Sequence, residues 1–190
     1  MDTAGVVLAG GKSSRYGKQK ILETHHGIPF YEHSIRAFTQ GGISSVYVVT
    51  NNELSGFLCL SGIPLIIEET MHEGPLYALA TAMRTLQETE WIFLLPADVP
   101  YVQPSFIETM ADVITHARKE VDAFIPITGG KQQPLHGVYH RRSLHVIEDL
   151  LNQNYKSMKP LIAALHVHFQ PFPQNQLDFI NINHAEDWPY

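Results

Sequence analysis

Short apolar runs alternate with amphipathic stretches along most of the chain. Ala4-Gly5-Val6-Val7-Leu8 is a continuous apolar, β-branched run, as expected of a strand buried on both faces, and it leads into the glycine pair Gly10-Gly11. Apolar positions 30, 31, 35 and 38 share one side of a helix that Pro29 opens and Gly41-Gly42 ends. Val46 to Val49 predicts a second buried strand, running into the polar Thr50-Asn51-Asn52. A weak helix over 52–60 and a short strand over 64–67 come next. Ala78, Leu79, Ala82, Met83 and Leu86 mark a firm helix after the turn at Gly74. Trp91 to Leu95 is the most apolar strand, followed by a helix over 106–117, with Ser105 as its cap, and a strand over 123–126.

Beyond residue 128 the rhythm changes. Gln133 to Tyr139 reads as an extended segment near a proline, which predicts an edge position and antiparallel pairing. Helices are expected over 142–151 and 159–165. Strands are expected over 167–169 and 179–182, separated by a proline-broken loop over 170–176, with a helical turn from His184. Strands and helices in alternation build a parallel sheet covered on both faces. The expectation is a three-layer α/β/α, Rossmann-like fold with a mostly parallel, mixed central sheet, in one domain over residues 1–190.

Composition narrows the function. At 190 residues and 44% hydrophobic, the chain can bury a sizeable core. No stretch approaches the roughly 20 consecutive apolar residues of a membrane span, and the first strand follows the N-terminus without a basic-then-apolar leader. A cytoplasmic protein with no membrane partner is therefore expected. Its single cysteine, Cys59, excludes an internal disulfide framework. A net charge of −6 argues against general nucleic-acid binding. The eleven histidines are scattered without H-E-x-x-H spacing, so a histidine-held metal is not expected.

Against that acidic background, the loop after the first strand stands out. Lys12, Arg15, Lys18 and Lys20 place four cations within nine positions, beside Gly10, Gly11, Ser13 and Ser14. Glycines let backbone N–H groups converge on phosphate oxygens, and the cations offset the remaining charge. Neither G-x-x-x-x-G-K-S/T nor G-x-G-x-x-G is present, so a phosphate loop of another kind is expected, the alternative being a solvated basic turn after an edge strand. Asp98 is the second anchor. It follows a wholly apolar strand between Pro96 and Pro100, at the rim where the first loop also ends. One carboxylate together with triphosphate oxygens and water suits magnesium, a hard cation that keeps much of its hydration.

The segment Leu8-Ala9-Gly10-Gly11-Lys12-Ser13-Ser14-Arg15-Tyr16-Gly17-Lys18-Gln19-Lys20 resembles the signature of the molybdenum cofactor guanylyltransferases, a branch of the nucleotidyltransferases. It departs at Tyr16, often Met in the family, and at Gln19, often Asp. Leu94 to Pro100 is similar to the family's apolar strand followed by a metal-holding Asp. Gly74-Pro75-Leu76 resembles its G-P-L turn, which an acidic residue precedes: Glu69, or alternatively Glu68. Gln133-Pro134-Leu135 with Tyr139 resembles an acceptor-side segment, and Phe179 to Asn183 with Glu186-Asp187 resembles the family's closing motif. Together the matches run from residue 6 to 187.

The resemblance implies a nucleotidyltransferase fold and transfer of GMP from GTP to molybdopterin, with release of pyrophosphate and magnesium as cofactor. Arg15, Lys20 and Asp98 would be catalytic. Leu8, Ala9, Gly10, Gly11, Lys12, Ser13, Lys20, Glu69, Gly74, Pro75, Leu76 and Asp98 would bind the nucleotide. Thr50 and Asn51 would contact base or ribose, or else form a turn. Gln133, Pro134, Tyr139, Asn181 and Asn183 would face the acceptor, although the two asparagines could equally satisfy turn backbone. Gly10, where cytidylyltransferases commonly carry Ala, leaves room for a purine. The implied partners are GTP, the molybdopterin acceptor and, transiently, other molybdenum cofactor biosynthesis proteins, with the enzyme acting as a monomer. Two alternatives remain: transfer of another base or to another acceptor, as in molybdopterin cytidylyltransferase, and a nucleotide-binding module without turnover.

Overall fold

The computed structural model describes residues 2–10, 20–58, 60–70, 73–116, 118–182 and 187. Strand β1 (Thr3–Leu8) precedes a small hairpin of β2 (Thr24–His25) and β3 (Ile28–Pro29). Then come α1 (Phe30–Gln40), β4 (Val46–Thr50), α2 (Asn52–Ser55), β5 (Leu65–Ile67), α3 (Pro75–Thr85), β6 (Trp91–Pro96) and α4 (Pro104–Thr115). The remainder is β7 (Ala123–Thr128), β8 (Lys131–Gln132), β9 (Val138–His140), α5 (Leu144–Asn152), α6 (Lys159–Ala164) and β10 (Val167–Phe172).

The main sheet runs β10-β7-β9-β6-β1-β4-β5, with β8 paired to β7. Strands β6, β1, β4 and β5 are mutually parallel, and β10 lies parallel to β7. Strand β9 pairs antiparallel with both β6 and β7. The sheet is thus mostly parallel and mixed, as the sequence predicts. The expected edge position of the 133–139 segment is corrected: β9 lies between two strands. The proline stands outside it, in the 3₁₀ turn Pro134–His136, so no ladder donor is lost at Val138 to His140.

The late strands also differ from expectation. Strand β10 continues through Pro171 to Phe172, where a loop is expected. As an edge strand it pairs on one side only, so a residue without an N–H costs little. The expected strand at 179–182 is instead the 3₁₀ turn Leu177–Phe179 and an irregular run. The helix expected over 52–60 stops at Ser55. The turn expected from His184 lies outside the described residues, apart from Asp187.

Alternating side chains give the sheet its two cores. Val7, Phe93 and Leu95 pack under α1 and α4 with Phe38 and Phe106. Val6, Ile92 and Leu94 pack on the other face with Leu79, Met83 and Ile147 from α3 and α5. All six residues of β6 are buried, as expected of a central strand covered on both faces. No helix among the described residues is long and apolar enough to cross a membrane.

Candidate active site

Parallel β1, β4, β5 and β6 all end on one rim of the sheet, where an open α/β fold presents its ligand crevice. Main-chain bonds hold the rim together. The Ala97 amide donates to the Leu8 carbonyl (3.1 Å), which sets the residue before Asp98 beside the start of the glycine loop. The Ile182 amide donates to the Asp98 carbonyl (3.1 Å), so half-buried Asn181 lies one residue from that anchor. Gly11, Lys12, Ser13 and Arg15 lie outside the described residues, as does Asn183. The main chain of Lys20 opens the 3₁₀ turn Lys20–Leu22.

The acidic group at the mouth of the loop is Glu68. A Cβ on Gly10 would stand 2.8 Å from Glu68 Oε2, so the space beside Gly10 is taken by a carboxylate rather than left open. Burial pushes the Glu68 carboxyl up to about 7. Glu69, which the sequence comparison favours, is exposed. Strand alternation separates them: Glu68 shares parity with buried Ile66, and Glu69 with exposed Leu65. The sequence carries no such signal, because Leu65-Ile66-Ile67 is apolar at every position.

Thr50 and Asn51 are buried and engaged with backbone. Thr50 Oγ1 donates to the Ala9 carbonyl (3.2 Å), and Asn51 Oδ1 accepts from the Leu54 amide (3.0 Å) to cap α2. Both tie the rim of β4 to its neighbours, the turn-forming side of the two alternatives. Gly74, at φ +86°, adopts a backbone that L side chains avoid, and a Cβ there would lie 2.7 Å from the Lys156 carbonyl. The same carbonyl accepts the Leu76 amide (3.2 Å). Pro75 opens α3, and the Leu76 side chain is wholly buried, so the Gly-Pro-Leu turn seats α3 against the segment after α5.

Beyond β6, the Leu94 amide donates to the Gly137 carbonyl (2.9 Å), which holds the Gln133-Pro134 turn beside that strand. Gln133 and Pro134 are half-buried. Tyr139 is corrected as a contact residue. It is 0% exposed, and its hydroxyl donates to the Pro134 carbonyl (2.7 Å), so it shapes the turn from beneath.

A buried polar group that the sequence reading missed braces this side. Asp178 Oδ1 accepts the amide of Gln103 (2.7 Å), the residue that precedes α4, and Ser105, expected as the cap, lies inside the first turn of that helix. His136 Nε2–H donates to the Asp178 carbonyl (3.1 Å), and burial lowers the imidazole pKa to about 4. These residues are distant in sequence, and nothing local in the chain pairs them.

A glycine-containing basic segment after β1, an aspartate just beyond the neighbouring strand β6, and the Gln133–His136 turn beside β6 share one rim, the arrangement of a nucleotidyltransferase. The chain belongs to the MobA-like NTP transferase domain family, whose profile matches residues 5–169. It is 36% identical over 186 residues to a probable molybdenum cofactor guanylyltransferase of Geobacillus sp. (strain WCH70), covering 95% of this chain and 93% of that protein. A probable molybdenum cofactor guanylyltransferase of Halalkalibacterium halodurans is 32% identical over 193 residues, covering 98% and 96%. The crystal structure of molybdopterin-guanine dinucleotide biosynthesis protein A from Archaeoglobus fulgidus superposes with a TM-score of 0.77 at 20% identity, covering 97% of this chain and 94% of that one.

Proposed function

We propose that this protein transfers GMP from GTP to molybdopterin and releases pyrophosphate. Guanine presents adjacent N1–H and N2–H donors, and a carboxylate offers two acceptors at matching spacing. The observation that carries the reading is the buried Glu68 carboxylate against Gly10, at the mouth of the phosphate loop. The kinship with guanylyltransferases over nearly the whole chain supports it.

In the reaction, an oxygen of the acceptor's terminal phosphate bonds to the α-phosphorus of GTP as the bond from that phosphorus to the pyrophosphate oxygen breaks. The attacking oxygen is already anionic, so no side chain need remove a proton. The protein's part is to align the groups and offset charge. Arg15, Lys20 and the loop amides would bear on the phosphates. Asp98 fits magnesium: it is a hard oxygen donor whose backbone is pinned from both sides, and no cluster of three or more metal-ligating side chains competes among the described residues. Bound there, magnesium would neutralise phosphate charge. Gln133 and Asn181 flank the same rim and would orient the pterin. The reading carries a cytoplasmic, monomeric enzyme with it.

The test is thermal stabilisation by GTP, CTP, ATP and UTP, with and without magnesium. A nucleotide at about 100 times its Kd adds roughly 2.7 kcal/mol. GTP alone should shift the protein, and pyrophosphate should appear once molybdopterin is added. A larger shift with CTP would overturn the base assignment.

A further inference from the structure

The hairpin that follows Lys20 carries an imidazole cluster that the proposed reaction does not use. The His25 ring lies 4.1 Å from that of His26 and 5.6 Å from that of His33, centre to centre. His33 Nε2–H donates to the His25 carbonyl (3.2 Å), and the Phe30 amide donates to the Glu23 carbonyl (2.9 Å), so the hairpin is anchored on the first turn of α1. On its other side the His25 ring meets Tyr101 nearly edge-on, with centres 4.9 Å apart and planes at 62°. Tyr101 stands three residues beyond Asp98, and His25 five beyond Lys20. The contact therefore bridges the two segments that leave the phosphate-binding and metal-binding positions.

We propose that His25 is a positioning residue: its ring, set against Tyr101, clasps the segment after Lys20 to the segment after Asp98 and holds the two main-chain segments together. This rests on the guanylyltransferase reading for its catalytic consequence, though not for the clasp itself. Aromatic contacts of this geometry stabilise by dispersion and quadrupole attraction, and two ring centres near 5 Å leave little slack. In-line transfer is sensitive to such slack, since small misplacements of reacting groups are costly.

The clasp is built for neutral imidazoles. Among the described residues, His25 faces His26, His33 and Tyr101, while Glu32 and Arg36 flank His33. A proton on His25 would meet two further imidazoles. Burial, with His26 and His33 beside it, already holds His25 below the usual histidine value. Acid should therefore loosen the contact.

The experiment compares wild type, His25→Ala and His25→Phe, the last keeping an edge-on ring without ring nitrogens. Amide hydrogen exchange without nucleotide reads the clasp directly. In His25→Ala, exchange should rise about fivefold or more over both 20–25 and 98–103, with His25→Phe close to wild type. Lowering the pH to about 5.5 should speed exchange, corrected for its intrinsic pH dependence, in wild type more than in His25→Phe. In turnover, His25→Ala should lose about tenfold in kcat with little change in the KM for GTP, and His25→Phe should recover it. Unchanged exchange over 98–103 in His25→Ala, or a His25→Phe protein as impaired as His25→Ala, would overturn the clasp. If wild type binds no GTP, the guanylyltransferase reading falls, and exchange still decides the clasp.

Discussion

The amide of Ile182 donates to the carbonyl oxygen of Asp98 across 3.1 Å, joining residues 84 positions apart. That bond brings the C-terminal limb, with Asn181, to the aspartate that ends β6. Acceptor-side and metal-side candidates thereby share one rim. The bond fixes the Asp98 backbone at that rim.

Asp98→Asn keeps the shape and the carbonyl that Ile182 uses, and removes the charge. Stability without ligand should change by less than about 1 kcal/mol, while the magnesium-dependent part of GTP stabilisation disappears. Thermal shifts with GTP alone and with GTP plus magnesium measure both. A variant retaining the magnesium-dependent part would remove Asp98 from the metal site.

Glu68 makes both stability and nucleotide affinity depend on pH. Its carboxyl, at about 7 in the folded protein, lies above its unfolded value of 4.5. The stability contribution is full below 4.5 and is lost as pH rises through about 7, because the folded state then holds a buried charge. Glu68→Gln should therefore be more stable than wild type at pH 8 by roughly 1–2 kcal/mol, and the advantage should vanish near pH 4.5. Guanine needs the ionised form, so wild-type GTP affinity should tighten from pH 6 to pH 8, and the Gln variant should show no such trend. Denaturation midpoints and calorimetric titrations across that range check the two signs.

Gly10→Ala tests the close approach of the loop to Glu68. The new methyl would meet the carboxylate end, a movable group, so the fold should survive with a loss below about 1 kcal/mol. Displacing the carboxylate should weaken GTP binding about tenfold, or about 1.4 kcal/mol, with CTP and ATP affected less. Equal losses for all nucleotides would assign Gly10 to phosphate contact alone.

Asp178→Ala leaves the Gln103 amide at the start of α4 without its acceptor. The expected cost is about 1–2 kcal/mol in urea denaturation, and Asp178→Asn, which keeps Oδ1, should recover most of it. His136 bonds the main-chain carbonyl of Asp178, which the substitution keeps, so the turn at Pro134–His136 should stay in place and the KM for molybdopterin should change little.

The sequence by itself determined the layers and the line of the site. Continuous apolar runs such as Val6-Val7 and Trp91 to Leu95 specify strands buried on both faces, because each face must meet its own helix layer. Glycines and cations packed into the eleven positions from Gly10 to Lys20 specify a phosphate loop, since both are local properties of the chain. Tertiary structure decided what depends on partners distant in sequence. The insertion of β9 between β6 and β7 is a choice among pairings that the Gln133 to Tyr139 pattern leaves open. Tyr139 is internal because its side of β9 faces the core formed with Leu79 and Met83 of α3 and Ile147 of α5. The brace of His136, Asp178 and Gln103, and the contact of His25 with Tyr101, form only when folding brings separate rims together. Glu68 belongs with these: Leu65-Ile66-Ile67 is apolar throughout, so which of Glu68 and Glu69 turns inward was decided by the burial of β5, and the contact with Gly10 by β1, β4 and β5 ending on the same edge of the sheet.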